Sequence, residues 1–139
     1  MKNIAFIGTS HIHAPNFISR VNSNNQINCI GVWDKDKNRS KSDSEKLKCK
    51  NYDNYIDLLK EPNLDGVIVC SETNLHYELV KKITEHKKHC FIEKPLGIGK
   101  KDSFEMVNLI ESSKIIFQTG YFMRSNPVYI KLKELITAN

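Results

Sequence analysis

Short apolar runs alternate along this chain with longer stretches whose apolar residues recur every three or four positions. Ile4-Ala5-Phe6-Ile7 predicts a first strand. A turn and a helix follow, with Phe17, Ile18 and Val21 on one face and Pro15 in the first turn, where a missing N–H costs nothing. Ile27 to Trp33 predicts a second strand ending at Asp34. The charged stretch after it reads as an exposed helix with few apolar anchors, Leu47 the clearest. Asn51-Tyr52 marks a short third strand, and Tyr55, Ile56, Leu58 and Leu59 fit a short helix ending before Pro62. Gly66 to Cys70 is apolar throughout, as befits a parallel strand covered on both faces. Leu75, Leu79, Val80 and Ile83 then recur at helical spacing. Cys90-Phe91-Ile92 predicts a fifth strand, Phe104, Val107 and Ile110 another helix, and Ile115-Ile116-Phe117 the start of a sixth strand. A last helix after Pro127 carries Val128, Leu132, Leu135 and Ile136.

Two βαβαβ units in series predict an α/β, Rossmann-type doubly wound parallel sheet of strand order 3-2-1-4-5-6 with helices on both faces. Length allows one such domain, assigned to residues 1–125, with 126–139 a helix leading out of it. Ligands of such sheets bind beyond the carboxyl ends of the strands. The turns after Ile7, Trp33, Cys70, Ile92 and Phe117 are therefore the places to seek chemistry.

Composition removes several classes. Lys plus Arg exceed Asp plus Glu by five, but the densest basic stretch, Lys35 to Lys50, interleaves Asp36, Asp43 and Glu45, so it reads as a solvated helix face and not a nucleic-acid stripe. No run is long enough to span a bilayer or serve as a signal peptide, and a cytoplasmic location is expected. Cys29, Cys49, Cys70 and Cys90 form no C-x-x-C pair. Cys29, Cys70 and Cys90 sit inside apolar runs that look like buried strands, all four read as reduced structural thiols, and no metal site is expected.

The first turn reads Gly8-Thr9-Ser10-His11-Ile12-His13. Against the dinucleotide fingerprint G-x-G-x-x-G it keeps the first glycine, with Ser10 and His13 at the other two places. It is either an ordinary βα turn or a pyrophosphate cradle in which Ser10 admits close approach and its hydroxyl caps the helix or meets a phosphate. Asp34, 26 positions after Gly8, suits a ribose-binding acid and favours NAD. Lys35, Lys37 and Arg39 lie near enough to accommodate the 2′-phosphate of NADP. Ser71-Glu72-Thr73-Asn74-Leu75-His76 reads either as a helix-capping turn, with His76 a packing or surface histidine, or as a wall beside the nicotinamide ribose. Glu93-Lys94-Pro95 ends a buried strand with a charged pair. It is either a salt-bridged edge feature or a lysine placed to exchange a proton with a substrate hydroxyl, its direction fixed by a cis bond to Pro95.

Together these turns resemble those of the Gfo/Idh/MocA family, which includes glucose–fructose oxidoreductase and inositol dehydrogenase. The resemblance is carried by Ile4 to Gly8, Val32-Trp33-Asp34, Asp65 to Cys70, Thr73-Asn74-Leu75-His76, Glu93-Lys94-Pro95, and Gly120 to Arg124 with Pro127, in order across nearly the whole chain.

The resemblance implies an NAD(P)-dependent dehydrogenase or reductase of a sugar, polyol or related hydroxylated compound. Lys94 would be catalytic. The cofactor would contact Gly8, Thr9, Ser10, His11, Ile12, Asp34, Cys70, Ser71, Thr73, Asn74, His76, Glu93, Lys94 and Arg124. NAD is the expected cofactor, with NADP the alternative. Family members continue into a second α/β domain that supplies the substrate pocket and most of the oligomer interface. A C-terminal substrate domain is thus expected to be absent from these 139 residues, so that substrate binds only when a second domain is supplied. Apolar surface on the last helix and at Tyr121-Phe122 is expected to drive self-association or to be covered by a partner chain. The alternative is a non-catalytic nucleotide-binding regulatory or interaction module of the same fold.

Overall fold

Six parallel strands form one sheet: β1 (Lys2–Ile7), β2 (Ile27–Trp33), β3 (Lys50–Asn51), β4 (Gly66–Val69), β5 (His89–Ile92) and β6 (Phe117–Thr119). Their order is β3-β2-β1-β4-β5-β6, the expected doubly wound arrangement, in a computed structural model that describes residues 1–138. The crossovers are α1 (Ala14–Asn22), α2 (Lys37–Lys46), α3 (Tyr55–Leu59), α4 (His76–Glu85) and α5 (Lys100–Ser113), followed by α6 (Pro127–Thr137). The order reverses between β2-β1 and β4-β5, so the turns after β1 and β4 diverge there and open a crevice.

The sheet separates two apolar layers. On one side Phe6 and Val32 meet Ile18 and Val21 of α1 and Leu47, which closes α2. On the other Ala5, Ile7, Val67, Val69 and Ile92 meet Leu58, Leu59, Leu79, Val80, Ile83 and Met106. The α1 layer is the narrower. It ends where Phe17 tilts against Phe91, ring centroids 5.0 Å apart, and leaves β5 and β6 open on that face. α2 has little apolar surface and packs through buried Ser40, Asp43 and Ser44.

Three local expectations need correction. α5 forms, but Phe104 and Val107 face solvent and Met106 is the fully buried contact. At 100° per residue the inward stripe runs through Met106 and Ile110, so the three-residue periodicity caught its shoulder. Cys29 is only half-buried, and its Sγ lies 3.7 Å from that of Cys49. The sixth strand begins at Phe117, and Ile116 before it is exposed. The apolar side chains of α6 and of Tyr121-Phe122 are exposed, as the sequence indicated. Among the described residues no helix is long and apolar enough to cross a membrane.

Candidate functional site

Gly8 joins three strand ends. Its N–H donates to Trp33 O at 2.7 Å, its carbonyl accepts from Cys70 N at 3.2 Å, and His11 N donates to Cys70 O at 2.9 Å. Gly8 has φ +79°, and a Cβ there would lie 2.5 Å from Ser71 Cβ and 2.7 Å from Ser71 Cα. Only glycine fits that conformation and that approach. Ser10 does not cap α1. Its hydroxyl donates to Cys70 O at 3.4 Å, and α1 starts after His13 without a side-chain cap. Among the described residues the amides of Ser10 and Ile12 donate to no protein acceptor, leaving two N–H groups for an anion at this helix start. Cys70 contributes its backbone, since burial pushes its thiol up to about 12.

Asp34 is 1% exposed at the end of β2, and its carboxylate accepts five hydrogen bonds. Thr9 donates from N at 2.6 Å and Oγ1 at 3.2 Å, Asp36 from N at 2.8 Å, and Arg39 from Nε at 3.0 Å and Nη2 at 2.8 Å. Burial alone would raise its pKa. The bonds from Arg39, Thr9 and Asp36 outweigh that and hold it below 3.8. Because the folded pKa is depressed, this contribution to stability is complete above the unfolded value and is lost as pH falls through the folded one. The urea midpoint of the parent chain should therefore fall as pH drops below about 4, and Asp34→Asn should flatten that fall. A variant with an unchanged acid limb would assign the loss to other carboxylates. Arg39 also sits 3.9 Å from Asp36 and 3.8 Å from Glu72, so three carboxylates face one guanidinium.

Glu93, 2% exposed, ends β5. Its Oε2 accepts from Lys94 N at 3.0 Å, its Oε1 accepts from His13 Nδ1 at 3.1 Å, and His11 Nε2 lies 3.9 Å from Oε2. Its partners are thus two imidazoles and a backbone amide, not the Lys94 ammonium, so the salt-bridged edge reading is set aside. Burial lowers the His11 pKa, helped by the charges of Lys94 and His13 and opposed by Glu93. The Lys94-Pro95 bond is cis. His76, 1% exposed, is neither surface nor plain packing. Its Nδ1–H donates to Pro95 O at 3.0 Å and Leu96 O at 3.2 Å, and its Nε2 is buried without a hydrogen-bond partner among the described residues. Beside this cluster a cavity of about 420 Å³ opens under α1, lined by His13, Phe17, Arg20, Phe91, Glu93 and Phe122.

Gly8, Thr9, Asp34, Cys70 and Ser71 are thus drawn together at the switch point, and His11, Glu93, Lys94 and His76 along the end of β5. Thr73 and Asn74 lie in a 3-10 turn (Thr73–Leu75) and cap nothing through their side chains, contrary to the capping alternative. Ile12 is 84% exposed. Arg124 is exposed in the turn Phe122–Ser125, its guanidinium 5.7 Å from the Tyr121 ring centre. The part taken by His13 escaped sequence reasoning. The available signal was the His-x-His spacing in the first turn.

Residues 2–121 match the oxidoreductase family with NAD-binding Rossmann fold, GFO_IDH_MocA. The chain is 39% identical to myo-inositol 2-dehydrogenase of Thermotoga maritima over 63% of its own length and 26% of the relative's. It is 27% identical to the scyllo-inositol 2-dehydrogenase (NAD(+)) of Bacillus subtilis over 92% of its length and 37% of that protein's. A variant of a 3-ketoreductase from Actinomadura kijaniata, solved with TDP-benzene and NADP, superimposes with a TM-score of 0.83 at 15% identity. It covers 99% of this chain and 44% of the other, and at that identity speaks for the fold alone. The chain therefore spans roughly a quarter to two fifths of the curated relatives it matches.

Proposed function

The chain belongs to the GFO_IDH_MocA oxidoreductase family through its NAD-binding Rossmann fold, and we propose that it holds the cofactor for oxidation or reduction of a sugar, polyol or related hydroxylated compound. The observation that carries this reading is the Gly8 turn, closed on Ser71 and tied to Asp34, with two amides free at the start of α1. In this reading residues 1–125 are the dinucleotide domain, and α6 leads from it toward substrate-binding residues that complete turnover.

Gly8, Thr9, Ser10, His11 and Ile12 hold the pyrophosphate, Asp34 the adenosine ribose, and Cys70, Ser71, Thr73, Asn74 and His76 the nicotinamide side. Glu93 and Lys94 border the reacting centre and Arg124 its mouth. When bound, the nicotinamide supplies the hydride chemistry. Lys94 orients the substrate hydroxyl and carries its proton at Nζ. Glu93 accepts from the Lys94 amide and so fixes the backbone from which that side chain projects. His76 holds the two carbonyls that follow.

The electrostatics favour NAD. Five hydrogen bonds saturate the Asp34 carboxylate, so the ribose hydroxyls must displace Arg39 from it. A 2′-phosphate would meet Asp34, Asp36 and Glu72 around one guanidinium. Calorimetric titration with NADH and NADPH should show saturable binding, with NADH tighter by about tenfold, roughly 1.4 kcal/mol. No binding of either at millimolar concentration by a folded chain would remove the cofactor role, and tighter NADPH would reverse the preference.

A further inference from the structure

We propose that His11, His13 and Glu93 form a binding site for a divalent transition-metal ion, best suited to zinc, at the cavity beside Lys94. One ligand atom from each of the three residues lies within 4.8 Å of the others. Two imidazoles and one carboxylate are a ligand set of catalytic zinc sites, which keep a fourth position open. Bond lengths near 2.1 Å place neighbouring ligand atoms about 3.4 Å apart in a tetrahedral site. His13 Nδ1 already stands 3.1 Å from Glu93 Oε1, His11 Nε2 lies 3.9 Å from the other oxygen, Oε2, and separations of up to 4.8 Å have to close by rotation of the imidazoles and the carboxylate.

His13 Nδ1–H points at Glu93, and ligation through Nδ1 would break that hydrogen bond and move the ring proton to Nε2. His11 Nδ1 accepts from His13 N at 3.2 Å, so ligation through His11 Nε2 would move a proton to Nδ1 and cost that one hydrogen bond. Glu93 is held for the task by the Lys94 amide and by its burial. A second observation points to a missing partner nearby. His76 Nε2 is fully buried and has no hydrogen-bond partner among the described residues, on a ring held by the carbonyls that follow Lys94. Its Nδ1–H rests on backbone carbonyls, the arrangement that fixes the tautomer of metal-binding histidines. His13 and Glu93 also line the cavity, so an ion between them would turn its open position toward it and polarise a substrate hydroxyl or carbonyl oxygen there.

The ion's use on a substrate oxygen rests on the proposed function, whereas its binding by these side chains does not, and the test keeps the two apart. The full chain, stripped of metal and free of dinucleotide, is titrated with Co(II) and then Zn(II). The expected result is uptake of about one equivalent of Co(II) with visible ligand-field absorption, no thiolate charge transfer, and displacement by Zn(II). The double variant His11→Ala/His13→Ala, checked by circular dichroism, should weaken uptake by more than the 10–100-fold that outer-shell partners carry. Should it fail to fold, His13→Gln, whose side chain is 42% exposed, must show the same loss. Cys29→Ser should change nothing. A folded chain that takes up no Co(II) at millimolar concentration, uptake retained by the histidine variants, or uptake abolished by Cys29→Ser would each overturn the proposal. An NADH titration of the same metal-free sample reports on the cofactor separately.

Discussion

A Gly8→Ala chain should unfold with about 2–5 kcal/mol less free energy than the parent and bind no NADH at millimolar concentration. Two costs add. At φ +79° an L side chain enters the left-handed region, which takes about 1–2 kcal/mol. The new Cβ would also stand 2.5–2.7 Å from Cβ and Cα of Ser71, so the turn after β4 must shift, at about 1–3 kcal/mol. That movement would break the hydrogen bonds that tie Gly8 and His11 to Cys70 and so misplace the free amides of the first turn. Against a total stability of about 5–15 kcal/mol the loss is large. Gly99→Ala is the control, because among the described residues nothing lies within 4 Å of a Cβ there, and its unfolding free energy should change by less than about 0.5 kcal/mol. Equal urea midpoints for Gly8→Ala and parent would show that the two turns do not constrain each other.

Asp34→Ala should lower stability by about 2–4 kcal/mol and weaken NADH binding at least tenfold. The deletion leaves the Thr9 amide buried without an acceptor and Arg39 without its bidentate partner. Breaking a buried ion pair commonly costs about 3–5 kcal/mol, but the Arg39 side chain is 32% exposed and regains water, which brings the loss down to about 2–4 kcal/mol. Thermal unfolding should shift by about 4 °C per kcal/mol for a domain of this size. Arg39→Ala should cost less, since Asp34 keeps its bonds from Thr9 and Asp36. If Asp34→Ala were as destabilised as expected yet bound NADH normally, the carboxylate would be a structural tie alone and the ribose contact would have to be sought elsewhere.

Most of the architecture is legible in the chain because its apolar runs are short, β-rich and separated by helical repeats, a pattern that parallel crossover topology accommodates economically. Asp34 and Glu93-Lys94-Pro95 are legible as candidates because charge at the end of a buried strand is costly without a purpose. What escapes is orientation. Asp34 and Arg39 are five residues apart, yet nothing local says that the guanidinium turns back onto the carboxylate and not outward. His13 and Glu93 are 80 positions apart and meet only because β1, β4 and β5 are neighbours whose following turns share one end of the sheet. The α5 error has another source, since an amphipathic stripe drifts around the helix and two apolar residues on its shoulder imitate the buried face.

α6 touches the body of the molecule chiefly through the turn Phe122–Ser125, while β1 is hydrogen-bonded on both sides within the sheet. These two parts do not share one clock. A helix that buries little of its apolar side can lift away and return without disturbing the sheet, at a small fraction of the global unfolding free energy. The amides of β1 are released only when the whole sheet comes apart. The molecule is thus a slow-opening body carrying a fast-opening arm, and whatever settles on the apolar side of α6 sets how long the arm stays in place.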